Sequence, residues 1–259
     1  MRTPVFLLSI FLFLLSCSPQ DSRYSHIKIT KVIDGDTLVL ETGQLLRLIG
    51  IDTPELRRKT LKGFIYEPAP LSKEAKEFTK RLAEEKFARI EFDVDKKDKY
   101  GRLLGYCFIK GKDKDLFLNK RLLEEGLAVL YTYPPNVKYV EEFVKAQRKA
   151  RQNKKGLWGA YEVISPQKAK DFIGQIRTVR GKVLSTYNSG KAIFLNFGED
   201  YKKDFTVVIF RNSFNYFYQR GITPEIFYRG KVVEVTGRIR EYNGPEIIVN
   251  SPLEIEVIE

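Results

Sequence analysis

The stretch Lys31–Glu55, KVIDGDTLVLETGQLLRLIGIDTPE, limits what this chain can fold into more than any other. Two runs of β-type residues, Leu38–Leu40 and Leu45–Ile49, flank a short turn holding Thr42-Gly43, so the spacing predicts a β-hairpin. Its open end carries Asp34, Asp36, Asp52, Thr53 and Glu55. With the turn centred on Thr42-Gly43, Asp36 is expected opposite about Ile49–Gly50, which leaves Asp52 one or two residues away. Carboxylates that close repel unless a cation or a proton joins them. Hard oxygen donors with no His or Cys nearby suit Ca²⁺ or Mg²⁺ rather than zinc. Arg47 shares the hairpin, and a metal beside a guanidinium can hold a phosphodiester.

Charge points the same way. The net charge is +12, which favours a polyanionic partner. The excess is local: residues 172–259 hold 12 Lys/Arg against 10 Asp/Glu, whereas residues 18–171 hold 32 against 23. The basic part is therefore the part that carries the hairpin.

After the hairpin, Arg57–Ala69 is basic with Gly and Pro and is expected to be an exposed loop, with Arg57, Arg58, Lys59 and Lys62 within reach of phosphates. Ser72–Lys86 has an apolar stripe, Ala75, Phe78 and Leu82, at helical spacing. Strands are expected at Phe87–Asp95 and Arg102–Lys110 around a charged turn, which puts Arg102 where the turn meets the strand. A short helix Leu118–Glu125 should end at Gly126, a strand Leu127–Tyr133 should follow, and Val137–Asn153 reads as a basic helix. Short strands with interleaved helices suggest the oligonucleotide/oligosaccharide-binding (OB) barrel. Beyond residue 170, strands are expected at Ile173–Leu184, Lys191–Phe197, Phe205–Phe210, Lys231–Arg240, Glu246–Asn250 and Leu253–Ile258. A helix is expected at Ser213–Arg220 and a turn at Asn243-Gly244.

VIDGDT at Val32–Thr37, RLIGIDTPE at Arg47–Glu55, DKYGR at Asp98–Arg102, the YTYPP run from Tyr131 and GLW at Gly156–Trp158 stand in the order and spacing of the staphylococcal nuclease (thermonuclease) family, which the chain resembles over about residues 27–158. The resemblance implies a mainly β protein, a thermonuclease OB-fold barrel with three helices. The closing residues, GKVVEVTGRIREYNGPEIIVNSPLEIEVIE, resemble the last half of nucleic-acid-binding OB domains and imply a second OB-like barrel. The thermonuclease resemblance further implies that Asp36 and Asp52 bind Ca²⁺ through carboxylates and Thr53 through its carbonyl, that Glu55 orients or deprotonates the attacking water, and that Arg47 and Arg102 clamp the phosphate. Lys99, Tyr100, Tyr131 and Tyr133 match positions that contact the terminal phosphate and the base. DNA and RNA are the implied substrates, cut with low sequence specificity by a monomer. The competing expectation is a non-catalytic protein that captures nucleic acid with two OB-type domains.

At the amino terminus, Arg2 precedes the apolar run Val5–Leu15, too short to span a bilayer, and then LLSC. That ending resembles the lipobox of bacterial lipoproteins and implies lipidation of Cys17 and an exported protein anchored to the cell envelope. The expected organisation is a signal peptide (1–16), a tether (17–25), the nuclease-like domain (26–158), a linker (159–171) and the OB-like domain (172–259). Cys107 is expected in the core, and the single histidine, His26, at the surface.

Overall fold

The computed structural model describes residues 22–60 and 63–258. The signal peptide, Cys17 and Lys62 lie outside the described residues, as do the side chains of Arg58 and Lys59. The first half runs β1 (Ile27–Asp34), β2 (Thr37–Leu40), β3 (Leu45–Leu48), β4 (Gly50–Asp52), β5 (Arg57–Thr60), β6 (Gly63–Tyr66), α1 (Ser72–Ala83), β7 (Phe87–Glu91), β8 (Leu103–Ile109), β9 (Leu116–Phe117), α2 (Leu118–Glu124), β10 (Val129–Tyr131), α3 (Val140–Gln152) and the single turn α4 (Leu157–Ala160).

β1 pairs with β2, β2 with β3, β3 with β8, β8 with β7 and β7 with β1, so five strands close into a barrel in which β3 and β8 alone run parallel. Leu38, Leu40, Leu46, Leu48 and Leu103 are buried on its inward face, whereas Tyr106, on the other face of β8, packs against Tyr139 and Phe143 at α3. The helices close the barrel with apolar faces. In α1, Ala75, Thr79 and Ala83 are buried at successive turns; in α3, Val140, Phe143, Ala146 and Ala150 are. Acidic Glu141 and Glu142 begin α3 and basic Lys149 and Arg151 end it, as its dipole favours.

The second half holds β11 (Ile176–Lys182), β12 (Ser185–Asn188), β13 (Ala192–Asn196), β14 (Thr206–Phe210), α5 (Arg211–Tyr218), α6 (Pro224–Phe227), β15 (Val232–Arg238), β16 (Arg240–Glu241), β17 (Pro245–Ile248) and β18 (Ile255–Val257). Its hydrogen bonding falls into two sheets, β11-β15-β18 and β12-β13-β14-β17-β16. β11 leads into β12 within three residues, and β15 into β16 within two, so two bent strands link the sheets around one core of Val179, Leu195, Phe205, Val207, Phe217, Val235 and Ile247. Counted that way, the path repeats that of the first barrel, with β14 and β17 as the parallel pair.

Three expectations need correcting. The stretch Arg57–Ala69 is not a bare loop: β5 and β6 pair antiparallel, Arg57 opposite Tyr66. Gly63 opens β6 with a φ of +116°, a conformation that favours glycine. The hairpin register is one residue tighter than expected, because Thr37 faces Arg47 and the Leu48 amide donates to the Asp36 carbonyl at 2.9 Å. Residues 159–171, expected to be a linker, include a 3₁₀ turn, Pro166–Phe172, with Ala169 fully buried in the second core. Cys107 is buried, its thiol pushed up by burial, and His26 is exposed, stacked on Phe87.

The two halves meet along a polar seam. The outward face of β15 presents Glu234 and Arg238 while Val233 and Val235 point into the second core. Glu234 pairs with Arg151 of α3 and with Arg180. Glu254 accepts from the Thr132 amide, and Arg220 pairs with Glu141 at 2.6 Å. A small apolar cluster, Val129, Leu157 and Ile176, lies between them.

Candidate active site

β3 turns sharply into β4 at Gly50. Its φ is +82°, and a Cβ there would stand 2.4 Å from Cε2 of Phe143, so only glycine fits between the hairpin and α3. That turn brings Asp52 back beside Asp36. A second close approach occurs at Gly35, where a Cβ would stand 2.8 Å from the Thr53 hydroxyl. Without a side chain at Gly35, Thr53 reaches Asp36: its amide donates to Asp36 Oδ2 at 3.0 Å and its hydroxyl at 2.9 Å. Thr37 Oγ1 bonds the other carboxylate oxygen at 3.1 Å.

Arg47 ties the carboxylates together. Its Nη1 lies 3.0 Å from Asp36 Oδ2 and donates to the Leu48 and Ile51 carbonyls at 2.7 and 3.2 Å; its Nη2 donates to Asp52 Oδ1 at 3.3 Å. Burial works against the Arg47 charge, but Asp36, Asp52 and Glu55 outweigh it and raise its pKa above the ordinary value.

The second half supplies a further guanidinium. Arg238, at the end of β15, donates from Nη2 to Asp52 Oδ2 at 2.9 Å and to the Thr53 carbonyl at 2.7 Å, and lies 3.7 Å from Glu55 Oε1. Its Nη1 donates to the Gly174 carbonyl at 3.1 Å. Burial lowers its pKa and the charges of Asp52 and Glu55 raise it, with a net rise. Glu55 keeps 44 % of its side chain accessible. Burial pushes its pKa up and Arg238 pulls it down, Asp36 and Asp52 push it up again, and it stands at about 7. A carboxyl poised near neutrality can take a proton from water.

Asp36, Asp52, Thr53, Glu55 and Arg47 are therefore brought together. Arg102 is not joined to them by any contact among the described residues. It immediately precedes β8, the strand parallel to β3, and its Nε donates to Asp98 Oδ2 at 2.7 Å. Asp98 also caps its own turn, accepting from the Tyr100 and Arg102 amides at 2.9 and 3.0 Å, which explains why DKYGR folds as a unit. Tyr100 is exposed, with Lys99 and Arg102 over its ring. Tyr131, at the end of β10, and Tyr133 line a groove of about 290 Å³ with Pro134, Phe210, Asn212 and Arg240. Burial, Asp98 and Asp95 raise the Tyr133 pKa.

Asp36 and Asp52 meet at Arg47, and Asp52 and the Thr53 carbonyl meet at Arg238; all three supply hard oxygens, so the donor types fit a divalent cation. Two of the three are bonded by Arg238 in this arrangement. No cluster of three His, Cys, Asp or Glu among the described residues is shaped to hold a metal by side chains alone. Nothing in the sequence marked Arg238 as part of this site. Its only signal is the alternation of β15, which puts Glu234, Thr236 and Arg238 on one face.

Residues 45–160 match the family described as Staphylococcal nuclease homologue. A thermonuclease of Staphylococcus hyicus is 40% identical over 134 residues, covering 51% of this chain and 74% of that protein. The thermonuclease of Staphylococcus intermedius is 35% identical over 144 residues, 54% of this chain and 80% of its own. Endonuclease YncB of Bacillus subtilis (strain 168) is 33% identical over 146 residues, 54% and 65%. The family match covers Arg47, Asp52 and Glu55, and with relatives this similar over most of their own length the chain belongs to the staphylococcal nuclease family.

Proposed function

We propose that the chain is a calcium-dependent endonuclease that cuts DNA and RNA with little sequence preference, anchored to the cell envelope through a lipid on Cys17. As a member of its family it is a nuclease that hydrolyses phosphodiester bonds. The observation that carries the finer reading is that Asp36 and Asp52 meet at Arg47 while the Thr53 carbonyl and Glu55 lie with Asp52 around Arg238, next to the groove that Tyr131 and Tyr133 line.

Hydrolysis gathers negative charge around phosphorus as the water oxygen arrives. Asp36, Asp52 and the Thr53 carbonyl would hold the ion, which when bound neutralises part of that charge. Glu55 accepts the proton of the attacking water, whose oxygen bonds to phosphorus while the bond to the 5′ oxygen breaks; that oxygen takes a proton from solvent and leaves as the 5′-hydroxyl, with a 3′-phosphate on the other product. Arg47 exchanges its contacts with Asp36 and Asp52 for the phosphate, and Arg102 approaches from the neighbouring strand. In the groove, Tyr131, Tyr133 and Phe210 offer faces for bases, and Arg240 offers a guanidinium for the backbone. Substrate contact thereby extends beyond the family-matched residues into the second half of the chain.

The deciding experiment incubates plasmid DNA, single-stranded DNA and RNA with the protein in Ca²⁺ or in chelator. Cutting of all three in Ca²⁺ alone is expected. Cutting in both tubes removes the metal from the reading, and cutting in neither favours the nucleic-acid-capturing alternative. For the anchor, Cys17→Ser is expected to release the protein from membranes or block its maturation. An unchanged membrane fraction with an unmodified wild-type amino terminus defeats it.

A further inference from the structure

We propose that Arg238 is the built-in occupant of the cation position: a divalent ion and the Arg238 guanidinium are alternative ligands of the same oxygens, so the second half of the chain must release the site before an ion enters. The inference rests on reading Asp36, Asp52 and Thr53 as the ion-holding group.

Arg238 Nη2 is within hydrogen-bond distance of Asp52 Oδ2 and of the Thr53 carbonyl, two of the three donors. A calcium ion needs those oxygens at about 2.3–2.6 Å. A guanidinium nitrogen 2.7 Å from the Thr53 carbonyl fills that space and repels a second cation. The charges agree. Asp36, Asp52 and Glu55 face Arg47 and Arg238, so three carboxyls meet two guanidiniums; withdrawing Arg238 leaves a surplus of negative charge that a divalent ion can answer.

Arg238 is held in place by its own half of the chain. Its Nη1 bonds the Gly174 carbonyl, and its backbone pairs with Ile176 on β11. The guanidinium therefore arrives aimed, and removing it means swinging the side chain off Gly174 or parting the seam. The seam is largely polar: its links include the charged pairs of Arg151 with Glu234 and Glu256 and of Arg220 with Glu141, with Glu254 on the Thr132 amide, beside an apolar cluster around Val129, Leu157 and Ile176 and the contact of Leu253 with the first core. Polar seams of this kind separate at lower cost than apolar ones. Because each occupant excludes the other, loading with ion and docking of the second half are thermodynamically linked.

The test uses the full chain and measures Ca²⁺ affinity by calorimetric titration, with the melting temperature in chelator as a second readout. Arg238→Gln is expected to bind Ca²⁺ about tenfold or more tighter than wild type and to melt lower in chelator. Arg151→Ala, which keeps Arg238 and weakens the seam, is expected to tighten Ca²⁺ binding several-fold; it keeps the proposal testable should Arg238→Gln fail to fold. Equal Ca²⁺ affinity in wild type and both variants overturns the competition while leaving the ion site standing. Loss of turnover in Arg238→Gln without a change in affinity also overturns it, making Arg238 a positioning residue. No Ca²⁺ binding in any of the three overturns the ion-site reading and this proposal with it.

Discussion

The two halves of this chain follow one strand path and do different things with it. In the first, the parallel pair β3–β8 carries Arg47, and the turn at Gly50 folds Asp52 back onto Asp36. In the second, the parallel pair β14–β17 sets Thr206, Val207 and Val208 against Glu246, Ile247 and Ile248, and its contribution to the site comes from the outward face of β15 instead. The lesson is that chemistry belongs to the side chains a strand presents, not to the path of the strand. Net charge alone misleads here. The second half is nearly neutral, yet it places Arg238 on the carboxylates and Arg240 in the groove.

The strongest way to break the comparison is to remove chemistry from the first half alone. Glu55→Gln keeps size and hydrogen bonding but cannot take a proton, and single-turnover rates should fall by about 10² or more, with nucleotide affinity retained. Wild-type turnover in this variant transfers the proton-accepting role elsewhere and weakens the division of labour between the halves.

The seam offers a test through pH. Burial raises Glu254 to about 7, against the amides of Asn250 and Thr132, which pull it down. With a folded value above the ordinary carboxyl value, its stabilisation is complete below about 4.5 and is lost as pH rises through about 7. Glu254→Gln lacks that titration. Its melting temperature should therefore gain on wild type by about 2–4 °C or more between pH 5 and pH 8, the scale of one kcal/mol in a domain-sized protein. A difference constant with pH means that Glu254 does not titrate in the seam.

The smallest expected effect sharpens the comparison rather than breaking it. Arg240→Ala should weaken single-stranded DNA binding a few-fold and reduce the salt slope by about one, with turnover at saturation unchanged. An unaltered slope confines substrate to the first half.

Much of this was legible before any coordinates. The hairpin around Thr42-Gly43, the helix ending at Gly126 and the Asn243-Gly244 turn followed from local turn chemistry and apolar spacing, which act over a few residues. The convergence of Asp36 with Asp52 followed from the same hairpin geometry, because both lie within one short stretch of chain. The register was off by one because the Leu40 amide closes the turn on the Gln44 carbonyl, which centres it on Thr42 rather than between Thr42 and Gly43. The ribbon at β5–β6 was hidden by its basic, Gly- and Pro-containing sequence.

The sequence by itself determined the donor types, the guanidinium beside them, the helical stripes and the basic bias of the first half, since each depends on residues close together in the chain. Tertiary structure alone decided what covers the site. Asp52 and Arg238 are 186 residues apart, and no local rule links them. Their meeting depends on which face of β15 turns outward and on how the second core sets that face against the first, a matter of packing summed over both halves.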